Sequence, residues 1–171
     1  MKKFKTFFIA IALIVGSVSF VQAQDSKIAH IAAQDLIEMM PGYKAAMTEL
    51  EKLQNTYSAS IEDMMKEAQA LNQKYQAEAP TKTDEENSER VMELEQTKNK
   101  ILEYRQNASQ QLQQKEIELL KPVLEKARTA IQKVAREKGY DYVFDSTTGT
   151  GVLLADGYDL LPAVKKELGI Q

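Results

Sequence analysis

The chain has 171 residues, 27% of them charged, with 22 basic against 25 acidic side chains and no cysteine. The acidic balance argues against nucleic acid as a partner, since nucleic acid favours basic surfaces. The lack of cysteine excludes disulfides, thiol chemistry and sulfur metal sites.

The N-terminus opens with a short basic segment, Met1-Lys2-Lys3-Phe4-Lys5. An apolar stretch from Phe7 to Val15 follows, and small residues stand at Val21-Gln22-Ala23. This order predicts a cleavable signal peptide over residues 1–23, and the apolar run is too short for a membrane span. The mature protein is expected to begin near Gln24, in a bacterial periplasm. Without Lys2, Lys3 and Lys5 the 22 basic residues become 19 against 25 acidic ones, a net charge of about −6. Phe4, Phe7, Phe8 and Phe20 lie in the signal or its flank, which leaves Phe144 as the only mature Phe in a chain without Trp. So few large rings cannot fill a big core, and the mature chain must be elongated or bury apolar surface against other chains.

Lys27 to Ala33 is predicted as a strand and Asp35 to Met40 as a short helical turn before Pro41. From Tyr43 to Lys138 there is no glycine, and Ala, Leu, Glu, Lys, Gln and Met predominate, all strong helix formers. Leu50, Tyr57, Met64 and Leu71 recur every seven residues. Val91, Leu94, Ile101, Ala108 and Leu112 continue the pattern after a break. Spacings of three and four keep one apolar edge on a helix, so two helices are predicted to pack along a seam. The break is Glu78-Ala79-Pro80-Thr81-Lys82-Thr83, and Thr83 with Glu86 has capping-box spacing. A fold about residues 80–83 sets Pro41 opposite Pro122. That pair is read as the hinge between a projecting arm, residues 43–121, and a body built from residues 24–42 and 122–171.

After Gly139, a suitable helix stop, Tyr140, Tyr142 and Phe144 alternate with Asp141, Val143 and Asp145 as in a half-buried strand. Ser146 to Gly151 reads as a turn, and Val152 to Ala155 as a returning, buried strand of a β-hairpin. A last helix is predicted from about Asp159 to Leu168. The fold class is mainly α: a long antiparallel helical hairpin projecting from a small α+β body.

No catalytic constellation emerges. His30 stands alone and reads as a packed or edge histidine rather than a metal ligand. Gly149-Thr150-Gly151 lacks the Lys-[Ser/Thr] of a phosphate loop, so neither metal nor cofactor is expected. What remains is surface. Met47, Met92 and Tyr104 lie along the arm, where a residue on the heptad stripe is foremost seam. Ile61, Met65 and Tyr75 fall off the strict series of the first helix and are the better candidates for an accessible face. Methionine is flexible and polarizable, and suits binding to varied apolar segments.

This order of parts resembles the Skp/OmpH family of periplasmic chaperones. The resemblance rests on Lys27-Ile28-Ala29-His30-Ile31, the hairpin length, and above all Val134-Ala135-Arg136-Glu137-Lys138-Gly139-Tyr140-Asp141-Tyr142-Val143-Phe144-Asp145 with Gly157-Tyr158-Asp159-Leu160. It implies a homotrimer, jellyfish-like, whose three sheets join in one body and whose arms enclose a cavity holding unfolded outer-membrane proteins without ATP. Ile28, Ile31, Val143, Phe144, Val152 and Leu154 are then the candidates for the body and trimer core. One departure stands out: the better-known members have basic arm tips, whereas Lys82 to Glu95 here is acidic. Binding of lipopolysaccharide or anionic membrane is therefore not carried over. The competing reading is a structural coiled-coil adaptor of an envelope assembly or transport complex, which has no need of a body formed from both termini.

Overall fold

The computed structural model describes residues 26–170; the predicted signal peptide lies outside them. Strand β1 (Ile28–Ile31) leads into helix α1 (Ala33–Met39) and then α2 (Pro41–Glu78). A 3-10 turn (Ala79–Thr81) joins α2 to α3 (Asp84–Glu137). Strands β2 (Tyr142–Asp145) and β3 (Tyr158–Asp159) and helix α4 (Leu161–Leu168) complete the chain. Helices α2 and α3 have 38 and 54 residues, so they reach roughly 57 and 81 Å at about 1.5 Å per residue.

The turn between them is secured locally. Thr83 Oγ1 accepts the Glu86 N–H at 3.2 Å, and the Glu86 carboxylate accepts the Thr83 N–H at 3.0 Å, the predicted capping box. Asn87 donates back to the Ala79 carbonyl at 3.1 Å, and Arg90 donates to Glu78 at 2.6 Å, joining the two helices. Further down, Ala46, Ile101 and Ala108 are buried in the seam, and Tyr57 meets Tyr104 edge-on with centroids 6.2 Å apart. Val91 is the exception to the expected stripe. It lies about 60° round the helix from Leu94 and is 61% exposed.

The body is a three-stranded sheet in the order β2-β1-β3, parallel throughout, with Ile28 opposite Tyr142 and Ile31 opposite Asp145. Ala29 and Ile31 face inward and join Leu36, Met40, Val123, Ala127, Val134, Leu160 and Val164 in one core. The other face carries Ile28, Tyr142 and Phe144, all exposed. Helix α1 lacks a capping side chain at Ala32; Asp145, at the end of β2, and Thr147, beyond it, accept its Ala33 and Gln34 N–H groups at 3.2 Å each. Burial by itself would raise the Asp145 pKa, but hydrogen bonds from Thr147 and Ala33 outweigh it and hold the carboxyl below its usual range. His30 bridges the same region. The Gly157 carbonyl can only accept, so His30 Nε2–H donates to it (3.2 Å), and Nδ1 faces the Ser146 hydroxyl at 3.0 Å.

The expected β-hairpin does not form. Val152 to Ala155 has no strand structure, and the third strand is Tyr158–Asp159, parallel to β1. The cause is local. Gly149 and Gly151 adopt φ of 95° and 90°, and the Thr150 hydroxyl donates to the Asp145 and Thr147 carbonyls, turning the chain away from β2. Of the body candidates, Ile31 is buried and Val143 and Val152 are half-buried, whereas Ile28, Phe144 and Leu154 stand outside the single-chain core. The first strand is also shorter than expected, because Ala33 already begins α1, which is a seven-residue helix rather than one turn. The last helix starts at Leu161, not Asp159: Asp159 pairs in β3, and its carboxylate accepts the Leu161 N–H at 2.8 Å.

Candidate interaction surface

Two of the open clefts on the hairpin and its base are lined by apolar residues of the sheet and the arm. The larger, about 500 Å³, sits between the inner sheet face and α3 and is lined by Ile31, Ile37, Leu124, Ile131 and Val143, with Arg128 and Asp141 at its margin. The second, about 450 Å³, lies between α2 and α3 and is lined by Met47, Tyr57, Ile61, Ala108 and Leu112 with Arg105 and Glu116. Between the two clefts, α3 exposes Ile117. Among the described residues no three His, Asp or Glu side chains converge as a metal site would require.

Met47, Met65 and the second cleft lie on one flank of the hairpin, and the exposed apolar residues of α3 spread from that flank toward its outer face. Met47 and Met65 are eighteen residues apart, a whole number of turns, so they stand on one line of α2. Arg105 of α3 reaches Met65, its Nη2 lying 2.8 Å from the sulfur. Glu49 lies about 200° round α2 from Met47, and its bridge to Lys115 (3.3 Å) marks the opposite, charged flank. On α3, Val91, Leu102, Ile117 and Leu124 fall within an arc of about 80°, and Leu102 and Ile117 are 53% and 69% exposed.

The expected arm residues divide on inspection. Met47, Met65 and Met92 are exposed. Ile61 and Tyr104 are half-buried, Ile61 in the cleft and Tyr104 against Tyr57. Tyr75 is engaged by its own chain: its hydroxyl donates to Glu93, which raises its pKa, and the Arg90 guanidinium lies 4.6 Å from its ring centre. It belongs to the tip's internal bracing. Leu102, Ile117 and Leu124 were not singled out from the sequence. The signal was present, since they and Val91 share one arc of α3, but the seam stripe on the same helix obscured it. Pro41 and Pro122 do come together, lining one cleft with Gly42, Leu119 and Val123.

A profile of the family described as outer membrane protein (OmpH-like) matches residues 27–168. No match is found among curated proteins. Among solved structures, one from Caulobacter crescentus CB15, described as an OmpH-like outer membrane chaperone, superposes with a TM-score of 0.72. The two are 16% identical, and the match covers 84% of this chain and 83% of the other. At that identity the likeness is one of fold.

Proposed function

We propose, since this chain belongs to the OmpH-like outer membrane protein family, that it is a periplasmic holdase that keeps unfolded outer-membrane proteins from aggregating. The observation that carries the reading is the track of exposed apolar side chains along one arc of α3, from Leu102 through Ile117 to Leu124 and the body cleft. A β-barrel client in water exposes alternating apolar residues and unpaired strand edges. Many weak apolar contacts along such a track shield these groups, and each contact is weak enough to release without ATP. No described helix is long and apolar enough to cross a membrane.

The assembly we propose is a homotrimer. A single copy leaves Ile28, Tyr142 and Phe144 exposed on one sheet face and Leu153 wholly exposed beside Leu154. Exposed apolar surface of this kind marks an interface, and a second and third copy of the body would cover it. Residues 43–121 then project as arms. The acidic tip, with Asp84, Glu85 and Glu86 in the first turn of α3, is no part of a lipopolysaccharide or membrane site in this reading.

The test is dilution of a urea-unfolded outer-membrane β-barrel into buffer, with turbidity as the readout. The wild-type protein is expected to suppress aggregation at stoichiometric amounts. Leu102→Ser with Ile117→Ser should lose most of that suppression while circular dichroism stays unchanged. Full suppression by the double variant would sink the proposed track.

A further inference from the structure

We infer that the α3 flank recognises the backbone of an extended client through a ladder of side-chain amides, beyond the apolar contact already described. The inference rests on the holdase reading and names how the same surface selects its ligand. In a chain where 27% of residues are charged, the arc of α3 holding Leu102 and Ile117 has no ionisable side chain from Gln96 to Leu120. Its polar members are Asn99, Gln106, Ser109, Gln110 and Gln113, all exposed. The arc is a narrow one: Glu103 and Lys121 border it about 20° beyond Gln110, and Lys98 and Glu116 about 20° beyond Ser109.

The composition points to one kind of occupant. An ion buried against a surface without charges is desolvated with no compensating partner, so the flank disfavours charged segments. An extended chain carries apolar side chains but also N–H and C=O groups, and these cost free energy when covered without partners. A carboxamide both donates and accepts, and so serves either group. Gln106 and Gln110 lie about 6 Å apart along the helix axis, close to the roughly 6.7 Å at which an extended strand repeats its groups on one edge. Gln34 and Gln76 bond residues one turn away on their own helices, to Glu38 and Asn72. The amides of Gln106, Gln110 and Gln113 have no partner among the described residues. The occupant is thus an uncharged, strand-like segment with alternate apolar side chains, laid along α3.

The experiment separates backbone recognition from apolar contact. A labelled, uncharged peptide of about a dozen residues, alternating Leu with Thr and Ser, is titrated with the full-length protein by fluorescence anisotropy. It is compared with the same peptide N-methylated at alternate residues to remove the donors of one edge. Methylation should weaken binding by about fivefold for each lost bond. The triple variant Gln106→Met, Gln110→Met, Gln113→Met keeps side-chain length but cannot pair with the backbone. It should bind the unmethylated peptide less tightly despite its more apolar surface, and should be indifferent to methylation. Equal or tighter binding by the Met variant, with no effect of methylation on the wild type, overturns the ladder and leaves the holdase reading standing. If neither the peptide nor an unfolded barrel binds the wild type, both fall.

Discussion

Glu86 shows how one side chain can act on the arm as a whole. Its carboxylate accepts from Lys82 Nζ at 2.9 Å and from the Thr83 N–H. Those bonds, the Lys82 contact foremost, depress its pKa from 4.5 to about 2. A carboxyl depressed in the folded state adds stability that is complete above about pH 4.5 and is lost as the pH falls toward 2. Protection of the amides at the start of α3, taken against their intrinsic exchange rates, should therefore fall over that window, and Glu86→Gln should flatten the dependence. Replacing the cap itself, Thr83→Ala, should cost about 1 kcal/mol of local stability, read as faster exchange at Glu86 and Asn87. No change in either variant would mean that the tip is held elsewhere, the Arg90–Glu78 pair and the Tyr75–Glu93 bond being the alternatives.

The long helix α3 runs without a break through Pro122. Proline there removes one i→i−4 hydrogen bond and crowds the preceding carbonyl, at the level where α2 begins with Pro41. Both prolines border one cleft of about 380 Å³, which leaves room for the arm to tilt against the body. We expect Pro122→Ala to raise the melting temperature and to narrow the spread of tip-to-tip distances measured by spin labels. An unchanged spread would rule out the hinge. Beside it, Gly42 allows α2 to approach α3 closely: an added Cβ would meet Val123 Cγ2 at 3.2 Å. Gly42→Leu should therefore wedge the helices apart and destabilise the base by about 1–3 kcal/mol, the usual range for overpacking, read by urea unfolding.

At the scale of the whole molecule, the proposed holdase role turns on the balance between apolar and charged attraction. The arm tip is acidic and the α3 flank carries almost no charge, so attraction between arm and client is expected to be apolar. Salt screens exposed charges within about 8 Å at physiological strength and leaves apolar burial nearly intact. Client affinity should thus stay within a few-fold when NaCl is raised to about half molar, whereas a steep loss would favour an electrostatic mechanism. The proposed trimer carries its own prediction. Ile28→Ser with Phe144→Ser should lower the mass found by light scattering to that of a monomer without unfolding the long helices, and a wild-type protein that is already monomeric would reject the trimer.

The hairpin was legible in the sequence because its determinants are local. Heptad spacing, the absence of glycine between Tyr43 and Lys138, and the Thr83–Glu86 pair each act within a turn or two of helix. The strand before Ala33 and the glycine stop at Gly139 were readable for the same reason. Which strand pairs with which was not, because a parallel sheet joins residues more than a hundred positions apart and leaves no short-range mark. Val152 to Ala155 has the apolar run of a strand but no strand partner among the described residues, and the pairing fell to Tyr158 and Asp159. The candidate surface divided along the same line. Met65 could be named from its place outside the heptad, whereas Tyr75 could not be discounted until Arg90 and Glu93 were seen to engage it. Nor could Leu102 and Ile117 be recognised until α2 had covered the neighbouring face. Sequence determines which side chains share a helical face; only packing decides which of those faces remains open.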